Sequence, residues 1–289
     1  MSGTATAMTV GATLDTIAAR LAAAGCVSAG AESRWLLEEV LELPAGAAVA
    51  RRSRPMPQRA ARALEGMVAR RVAGEPLQYV IGWAPFGALR IQVGPGVFVP
   101  RPETELVASR AATHLRAADA PATAVDLCTG SGAIACFLAD AVPGARVLAT
   151  ELDERALVWA RRNLAGRPVE LFEGDLDEPL PAALHGRVDV LVTNVPYVPS
   201  GAIPLLPRDV RVHEPLVALD GGADGLDLLR RVVDRAGRWL APGGWLICEI
   251  GDDQGEPAAA LLERAGLEEV AIRPDLTGRI RMAEGRWPA

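Results

Sequence analysis

The sequence contains no lysine, so all 30 of its basic residues are arginine. Beside abundant Ala, Gly and Pro, that usage reflects a GC-rich genome and assigns no function. The four cysteines (Cys26, Cys128, Cys136, Cys248) form no CxxC pair and have no histidine at ligand spacing. A zinc site and a disulfide framework are therefore not expected, and the cysteines read as reduced thiols in apolar surroundings. No run approaches the ~18 consecutive apolar residues of a membrane span. The opening stretch lacks the basic start and apolar core of a secretory leader, so the chain is expected in the cytoplasm. Positive charge is not in surplus either: the net charge is −6 and the pI about 5.3. That argues against a surface built as a whole to grip nucleic acid, while leaving room for a local basic patch. Internal repeats and low-complexity tracts are absent.

What remains is an ordinary globular composition over 289 residues, 50% hydrophobic and 23% charged, enough for one or two domains. Residues 1–75 read as a small helical domain. In Thr13–Ala24, Leu14, Ile17, Ala18, Leu21 and Ala22 trace one helical stripe that Gly25 can stop. Further helices are expected over Glu32–Leu43 and from Pro57 to Gly74. Between Arg51 and Arg71 lie seven arginines against one acid, Glu65. They read as a solvated helix face or as a docking face for an acidic or RNA-rich partner. In residues 76–100, alternating Tyr79, Ile81, Trp83 and then Leu89, Ile91, Val93 predict a β-hairpin linker. From 101 to 289, short β-branched strands (124–128, 146–152, 169–174, 188–193, 244–250) alternate with helical segments. That pattern predicts an α/β domain with a mainly parallel sheet covered on both faces. His114 and His185 read as surface residues, and His213 as a support for a nearby loop.

The first of those strands ends in Asp126-Leu-Cys128-Thr129-Gly130-Ser131-Gly132, and a helix over Ala133–Ala141 follows at once. Glycines there allow close backbone approach to a ligand at the carboxyl end of a strand. Gly130–Ala135 also fits the GxGxxA fingerprint of dinucleotide enzymes, or simply a tight strand–helix turn. Glu151 follows Gly132 by 19 residues and could accept both ribose hydroxyls of either kind of nucleotide. Asp126 distinguishes them. A carboxylate in the crevice repels a pyrophosphate but suits the cationic amino-acid end of S-adenosylmethionine. Asp175, in Glu-Gly-Asp175-Leu176, could accept from the adenine amine while Leu176 covers the ring. A helix-capping or solvated acid is the alternative.

A later strand ends in Asn194-Val195-Pro196-Tyr197. An asparagine oxygen, the Val195 carbonyl and an aromatic ring make a pocket for a planar NH2 group. Two acceptors can draw the delocalised lone pair of an amide onto its nitrogen and stabilise positive charge there, with no general base required. Read alone, the same tetrapeptide is also an Asn–Pro turn leaving a strand.

At this point the chain resembles the HemK/PrmC protein-glutamine methyltransferases over essentially its whole length. The resemblance is carried by Phe98-Val-Pro-Arg101-Pro-Glu103-Thr-Glu105, Asp126–Ala135, Glu151, Gly174-Asp175-Leu176, Asn194–Tyr197, Val212-His213-Glu214-Pro215, Gly222–Asp227, Pro242-Gly-Gly244, Glu249-Ile-Gly251 and Asp275–Arg279. The arginine–proline–glutamate and histidine–glutamate–proline segments are the most specific of these. The resemblance implies a Rossmann-like, seven-stranded class I methyltransferase domain, with the helical domain recognising a protein substrate. It implies Asn194, Val195, Pro196 and Tyr197 as catalytic. It also implies cofactor binding by Phe98, Asp126, Cys128–Gly132, Glu151, Asp175, Leu176 and Asn194, with no metal. The implied acceptor is the Gly-Gly-Gln loop of a class I release factor or, in a sister group, a large-subunit ribosomal protein. Two departures mark a divergent branch: Val195 replaces the first proline of Asn-Pro-Pro-Tyr, and Cys128 replaces a glycine.

Three other readings compete. A nucleic-acid amino methyltransferase would use the same pocket, but the acidic balance and the family-specific segments oppose it. Val195 motivates a non-catalytic S-adenosylmethionine-binding partner of translation. A dinucleotide oxidoreductase rests on the glycine fingerprint alone.

Overall fold

A computed structural model describes residues 8–119 and 121–289, which form two compact units. The smaller unit runs up to Gly82 and includes a later segment, Arg208–His213. Its helices are α1 (Val10–Ala23), α2 (Ala29–Val40), α3 (Ala47–Ala50), α4 (Gln58–Val72) and α5 (Leu77–Ile81). Thr9 caps α1 by accepting from the Ala12 amide (3.2 Å), satisfying a donor the first turn leaves open. Val10, Leu14, Ile17 and Leu21 then face a buried cluster with Leu36, Leu37, Leu64 and Val68.

The arginine run is not uniformly solvated. Arg71, on the buried side of α4, donates to Glu32 (2.6 Å) and to the Glu75 carbonyl (3.0 Å). Arg70 pairs with Glu75 (2.8 Å) and Arg52 with Asp15 (2.6 Å). Arg51, Arg54, Arg59 and Arg62 are exposed. The expected hairpin also starts later than the alternation implied. Residues 77–81 are helical because Leu77, Val80 and Ile81 share the i, i+3, i+4 spacing and bury against the helical cluster. Gly82, at φ +87°, ends α5, and the chain leaves the helical unit there rather than at residue 75.

The larger unit opens with a hairpin, β1 (Trp83–Phe86) and β2 (Leu89–Gln92). Then come α6 (Thr104–Ala117), β3 (Thr123–Leu127), α7 (Ala133–Ala141), β4 (Arg146–Glu151), α8 (Glu154–Leu164), β5 (Val169–Glu173) and β6 (Val188–Thr193). Next along the chain are α9 (Arg208–His213, which groups with the helical unit and takes His213 with it), α10 (Asp227–Trp239) and β7 (Leu240–Glu249). The chain closes with α11 (Gly255–Arg264), β8 (Glu268–Pro274) and β9 (Ile280–Arg286). Seven strands lie in the order β5-β4-β3-β6-β7-β9-β8, parallel except for β9, which runs against both its neighbours.

The central strands are apolar on both sides, as a sheet covered by helices on both faces requires. Val125, Leu127, Leu148 and Leu191 share one cluster with Leu229, Val233 and Trp239 of α10 and Leu262 of α11. The alternate residues Ala124, Val190 and Val192 are equally buried. Strand order reverses between β3 and β6, so loops at their carboxyl ends diverge and leave a crevice. No helix among the described residues is long and apolar enough to cross a membrane.

His114 is a correction. Its ring stacks on Trp245 with centroids 3.9 Å apart and lies 3.4 Å from Glu284, so it is largely covered. Glu284 of β9 is fully buried and receives Arg110 (2.6 Å) and Arg273 (2.6 Å). Burial pushes its pKa up, but hydrogen bonds from His114, Arg110 and Arg273 outweigh that and hold it at about 2. A carboxyl depressed on folding stabilises the fold above its unfolded pKa and ceases to do so as pH falls through the folded value. Glu284→Gln should therefore lower stability at pH 7 by roughly 3 kcal/mol. The gap to the unaltered protein should close between about pH 4.5 and pH 2. Denaturant midpoints measured across that range check this, and a gap independent of pH would refute it.

Candidate active site

Cys128 and Asn194 leave adjacent strands at the same level, because Leu127 of β3 registers with Thr193 of β6. The Thr193 hydroxyl reinforces the pairing by donating to the Leu127 carbonyl (2.9 Å). Cys128, Gly130 and Gly132 all have positive φ (+57°, +59°, +84°), which is how five residues turn the strand straight into α7. At Gly130 an added Cβ would meet nothing within 4 Å, whereas at Gly132 it would press on Leu164 Cγ at 3.3 Å.

Asp126 lies beneath this loop, fully buried. Its Oδ2 accepts from the Thr129 hydroxyl (2.5 Å) and the Ala135 amide (3.1 Å), tying the loop to the first turn of α7. Its Oδ1 is buried with no partner among the described residues. Burial raises its pKa to about 7 against the pull of those two donors. Glu151 holds the loop from the other side. Oε2 accepts from the Gly130 amide (2.8 Å), and Oε1 from the amides of Leu152 and Asp153 (both 2.9 Å). Three acceptor positions of Glu151 are thus filled by backbone. Burial also pushes the Cys128 thiol up, with Glu151, Asp126 and Asp175 adding to it, so Cys128 stays a thiol and not a thiolate.

Two supports here carry no motif that sequence reasoning could read. Asn163 of α8 is buried and donates to the carbonyls of Ser131 (2.8 Å) and Gln92 (2.9 Å), while its Oδ1 accepts from the Gln92 amide (2.8 Å). It thereby joins the hairpin to the glycine loop. Arg231 of α10 donates to Asp175 Oδ2 (2.8 Å), so Asp175 keeps only part of its acceptor capacity for a ligand. Leu176 is buried at φ +50°.

At the end of β6, Asn194 Nδ2 donates to the Thr104 hydroxyl (3.3 Å), and the Tyr197 hydroxyl donates to Glu249 (3.1 Å). Val195 and Pro196 are buried, Val195 within the core cluster shared with α10. The two most distinctive segments of the sequence meet directly: Arg101 pairs with Glu214 (2.5 Å) and covers the Phe98 ring at 4.6 Å. Among the described residues no group of three or more His, Cys, Asp or Glu is arranged to hold a metal ion.

Residues 12–82 match the PrmC N-terminal domain family, and residues 89–204 the methyltransferase small domain. A release factor glutamine methyltransferase of Geobacter sulfurreducens is 38% identical over 96% of both chains. The chain belongs to the release factor glutamine methyltransferase family. Its relative from Streptomyces coelicolor is 48% identical over 76% of this chain and 79% of its own. A methyltransferase structure from Pyrococcus furiosus shares the fold, with a TM-score of 0.52 at 20% identity over 81% of this chain and all of that one.

For a member of this family the two sequence departures now have structural addresses. Cys128 occupies a left-handed backbone position that favours glycine, at a cost of about 1–2 kcal/mol for a side chain. Val195 is buried, so its side chain serves the core while its carbonyl belongs to the loop.

The glycine loop yields a prediction. Gly130→Ala and Gly132→Ala both place a side chain at positive φ, at roughly 1–2 kcal/mol each. Only the Gly132 substitution also crowds a neighbour, Leu164. Thermal unfolding should show Gly132→Ala to be the more destabilising of the two. The reverse order would contradict this loop geometry.

Proposed function

We propose that this protein transfers a methyl group from S-adenosylmethionine to the side-chain amide nitrogen of a glutamine in a translation release factor. The observation that carries the reading is the pairing of the glycine loop with Asn194-Val195-Pro196-Tyr197 on adjacent strand ends. The chain's relatives named release factor glutamine methyltransferase support it.

The residues fit the cofactor. The unpartnered Asp126 Oδ1 is an acceptor suited to an ammonium group, whose arrival would also favour the ionised acid. Glu151 Oε2 retains room for a ribose hydroxyl beside the Gly130 amide. Asp175 offers its remaining acceptor capacity to the adenine amine, with Leu176 and Phe98 as apolar cover. The loop Cys128-Thr129-Gly130-Ser131-Gly132 provides open backbone. When bound, S-adenosylmethionine supplies an electrophilic methyl on a sulfonium centre.

The acceptor chemistry belongs to the β6 loop. Asn194 Oδ1 and the Val195 carbonyl each accept one N–H of the substrate amide, and Tyr197 packs on its flat face. Pro196 stiffens the backbone behind them. An amide nitrogen is a weak nucleophile because its lone pair is delocalised. Two fixed acceptors localise that pair and stabilise the positive charge that develops on nitrogen. The proton becomes acidic only afterwards, so no strong base has to be held ready. The helical unit is assigned to recognition of the protein substrate, and the setting is the cytoplasm, where translation ends.

Tritium from labelled S-adenosylmethionine should pass to a release factor and not to the same factor with its Gly-Gly-Gln glutamine changed to alanine. A large-subunit ribosomal protein and DNA run in parallel complete the test. Label in either of them but not in the release factor would overturn the reading. Asn194→Ala should cut turnover by about 10²–10³-fold, the effect of losing one preorganised electrostatic contact, while cofactor affinity stays nearly intact. Glu151→Ala should weaken S-adenosylmethionine binding by roughly 1.5–3 kcal/mol in calorimetry, as for lost hydrogen bonds to a charged group.

A further inference from the structure

Glu249, the last residue of β7, has no part in the chemistry just described, yet it is 1% exposed and lies beside the acceptor loop. Its two oxygens serve different elements. Oε2 accepts from the Thr104 hydroxyl at the start of α6 (2.6 Å), and Oε1 from the Tyr197 hydroxyl (3.1 Å). Thr104 Oγ1 in turn accepts from Asn194 Nδ2 (3.3 Å). The register explains the meeting: Thr193 pairs with Cys248, so Asn194 and Glu249 are the next residues on neighbouring strands.

While Glu249 is ionised, the direction of the hydrogens along this chain is forced. An ionised carboxylate only accepts, so both hydroxyls donate to it. Having given its single proton to Glu249, Thr104 Oγ1 can only accept, and Asn194 has to offer it the NH2 end. The oxygen of Asn194 is then the end left for a ligand. An isolated asparagine makes no such choice, because its oxygen and nitrogen are nearly the same size and a half-turn of the amide exchanges them.

We propose that Glu249, acting through Thr104, is a positioning residue that fixes Asn194 with its oxygen toward the substrate and so makes the pocket accept an amide and refuse a carboxylate. The inference rests on the proposed transfer to glutamine. With Asn194 Oδ1 and the Val195 carbonyl both accepting, an amide NH2 satisfies two acceptors. A carboxylate satisfies neither and adds its own lone pairs. Unpaired buried polar groups of this kind are what give sites built on hydrogen bonds their large discrimination. If Asn194 turned over, its NH2 would welcome the carboxylate.

The groups facing Glu249 are Glu103, which precedes α6, Thr104 at its start, Tyr197 from the loop after β6, and Arg281 from β9, with Arg101 acting on Tyr197. Burial raises the Glu249 pKa to about 7, opposed by the two hydroxyls and Arg281 and aided by Glu103. Below that pH the acid acquires a proton of its own to donate, and Thr104 is no longer confined to accepting. Turnover should fall with the loss of orientation.

The test uses the full-length protein, a release factor with its Gly-Gly-Gln loop, and the same factor with that glutamine changed to glutamate. Thr104→Val removes the hydroxyl at constant shape, Glu249→Gln removes the obligatory acceptor, and Thr104→Ser restores the hydroxyl. Thr104→Val and Glu249→Gln should lower kcat by about 10- to 10²-fold, as a displaced reacting partner does, with S-adenosylmethionine affinity unchanged. Thr104→Ser should recover most of that loss. The binding preference for the glutamine loop over the glutamate loop should shrink at least about tenfold in Thr104→Val, one net hydrogen bond's worth. At saturating cofactor, the unaltered protein should lose kcat as pH falls through about 7, and Glu249→Gln should lack that limb. Full kcat with an unchanged preference in Thr104→Val, or a retained acid limb in Glu249→Gln, overturns the proposal. No methyl transfer to glutamine by the unaltered protein would sink the proposed function instead. The binding preference, read without turnover, would still decide the orientation of Asn194.

Discussion

The site depends on where three parallel strands stop. Leu127, Thr193 and Cys248 lie in line across β3, β6 and β7, so the residues that follow them emerge side by side. From that register come the glycine loop after β3, Asn194 after β6 and Glu249 at the tip of β7. A one-residue slip of β6 would turn Val190 and Val192 toward the opposite face and carry Asn194 out of reach of Thr104. Such slips are costly because the central strands are buried on both faces, and the Thr193 hydroxyl bond to the Leu127 carbonyl adds a side-chain lock at the place where register matters most. The placement of the site is therefore inherited from the core, and side chains such as Asn163 and Thr104 refine it.

Three fully or almost fully buried carboxylates show how the same group can be spent in different ways. Glu284 is met by two arginines and a histidine, stays ionised down to about pH 2, and holds β9 to α6 and β8. Asp126 and Glu249 are met by neutral donors, hydroxyls and one amide, and each is poised near pH 7. The difference is the presence or absence of a bonded cation, since neutral donors recover only part of the desolvation cost. A carboxyl compensated in full is a structural tie. One left partly uncompensated can answer to a ligand, and Asp126 with its unpartnered oxygen is the clearer example.

Much of this was readable in the residues, for identifiable reasons. Strand β6 and helix α7 fall at the expected boundaries, because a β-branched run and a glycine turn are strong local signals. The start of the hairpin misled, since Tyr79 and Ile81 alternate as strand residues while Leu77, Val80 and Ile81 also satisfy a helical spacing, and packing on the helical unit chose the helix. Strands β8 and β9 escaped notice because Glu268-Glu269 and Arg273 in one, and Arg281, Glu284 and Arg286 in the other, dilute the apolar pattern. Their charges are matched across the pair, Arg273 with Glu284 and Arg286 with Glu269, which only the folded register supplies. Asn163, Arg231 and the role of Thr104 were invisible for the same reason. Each acts through a partner far away in the chain, and no local pattern encodes that.

The two departures from the family pattern can be weighed against this background. Cys128 accepts a left-handed backbone because both sides of its loop are anchored, by Asp126 through Thr129 and by Glu151 through the Gly130 amide. Strain of that size persists only where the surroundings over-determine the conformation, as they do here. Val195 gives up the rigidity of a proline, but its side chain is 1% exposed among core residues, so packing restricts the loop where ring closure would otherwise have done so. In both places the tertiary surroundings hold a conformation that the family's usual residue adopts more readily by itself. The Val195 carbonyl and the glycine-loop backbone, the groups proposed to meet the substrate amide and the cofactor, survive both changes, because neither depends on the side chain that changed.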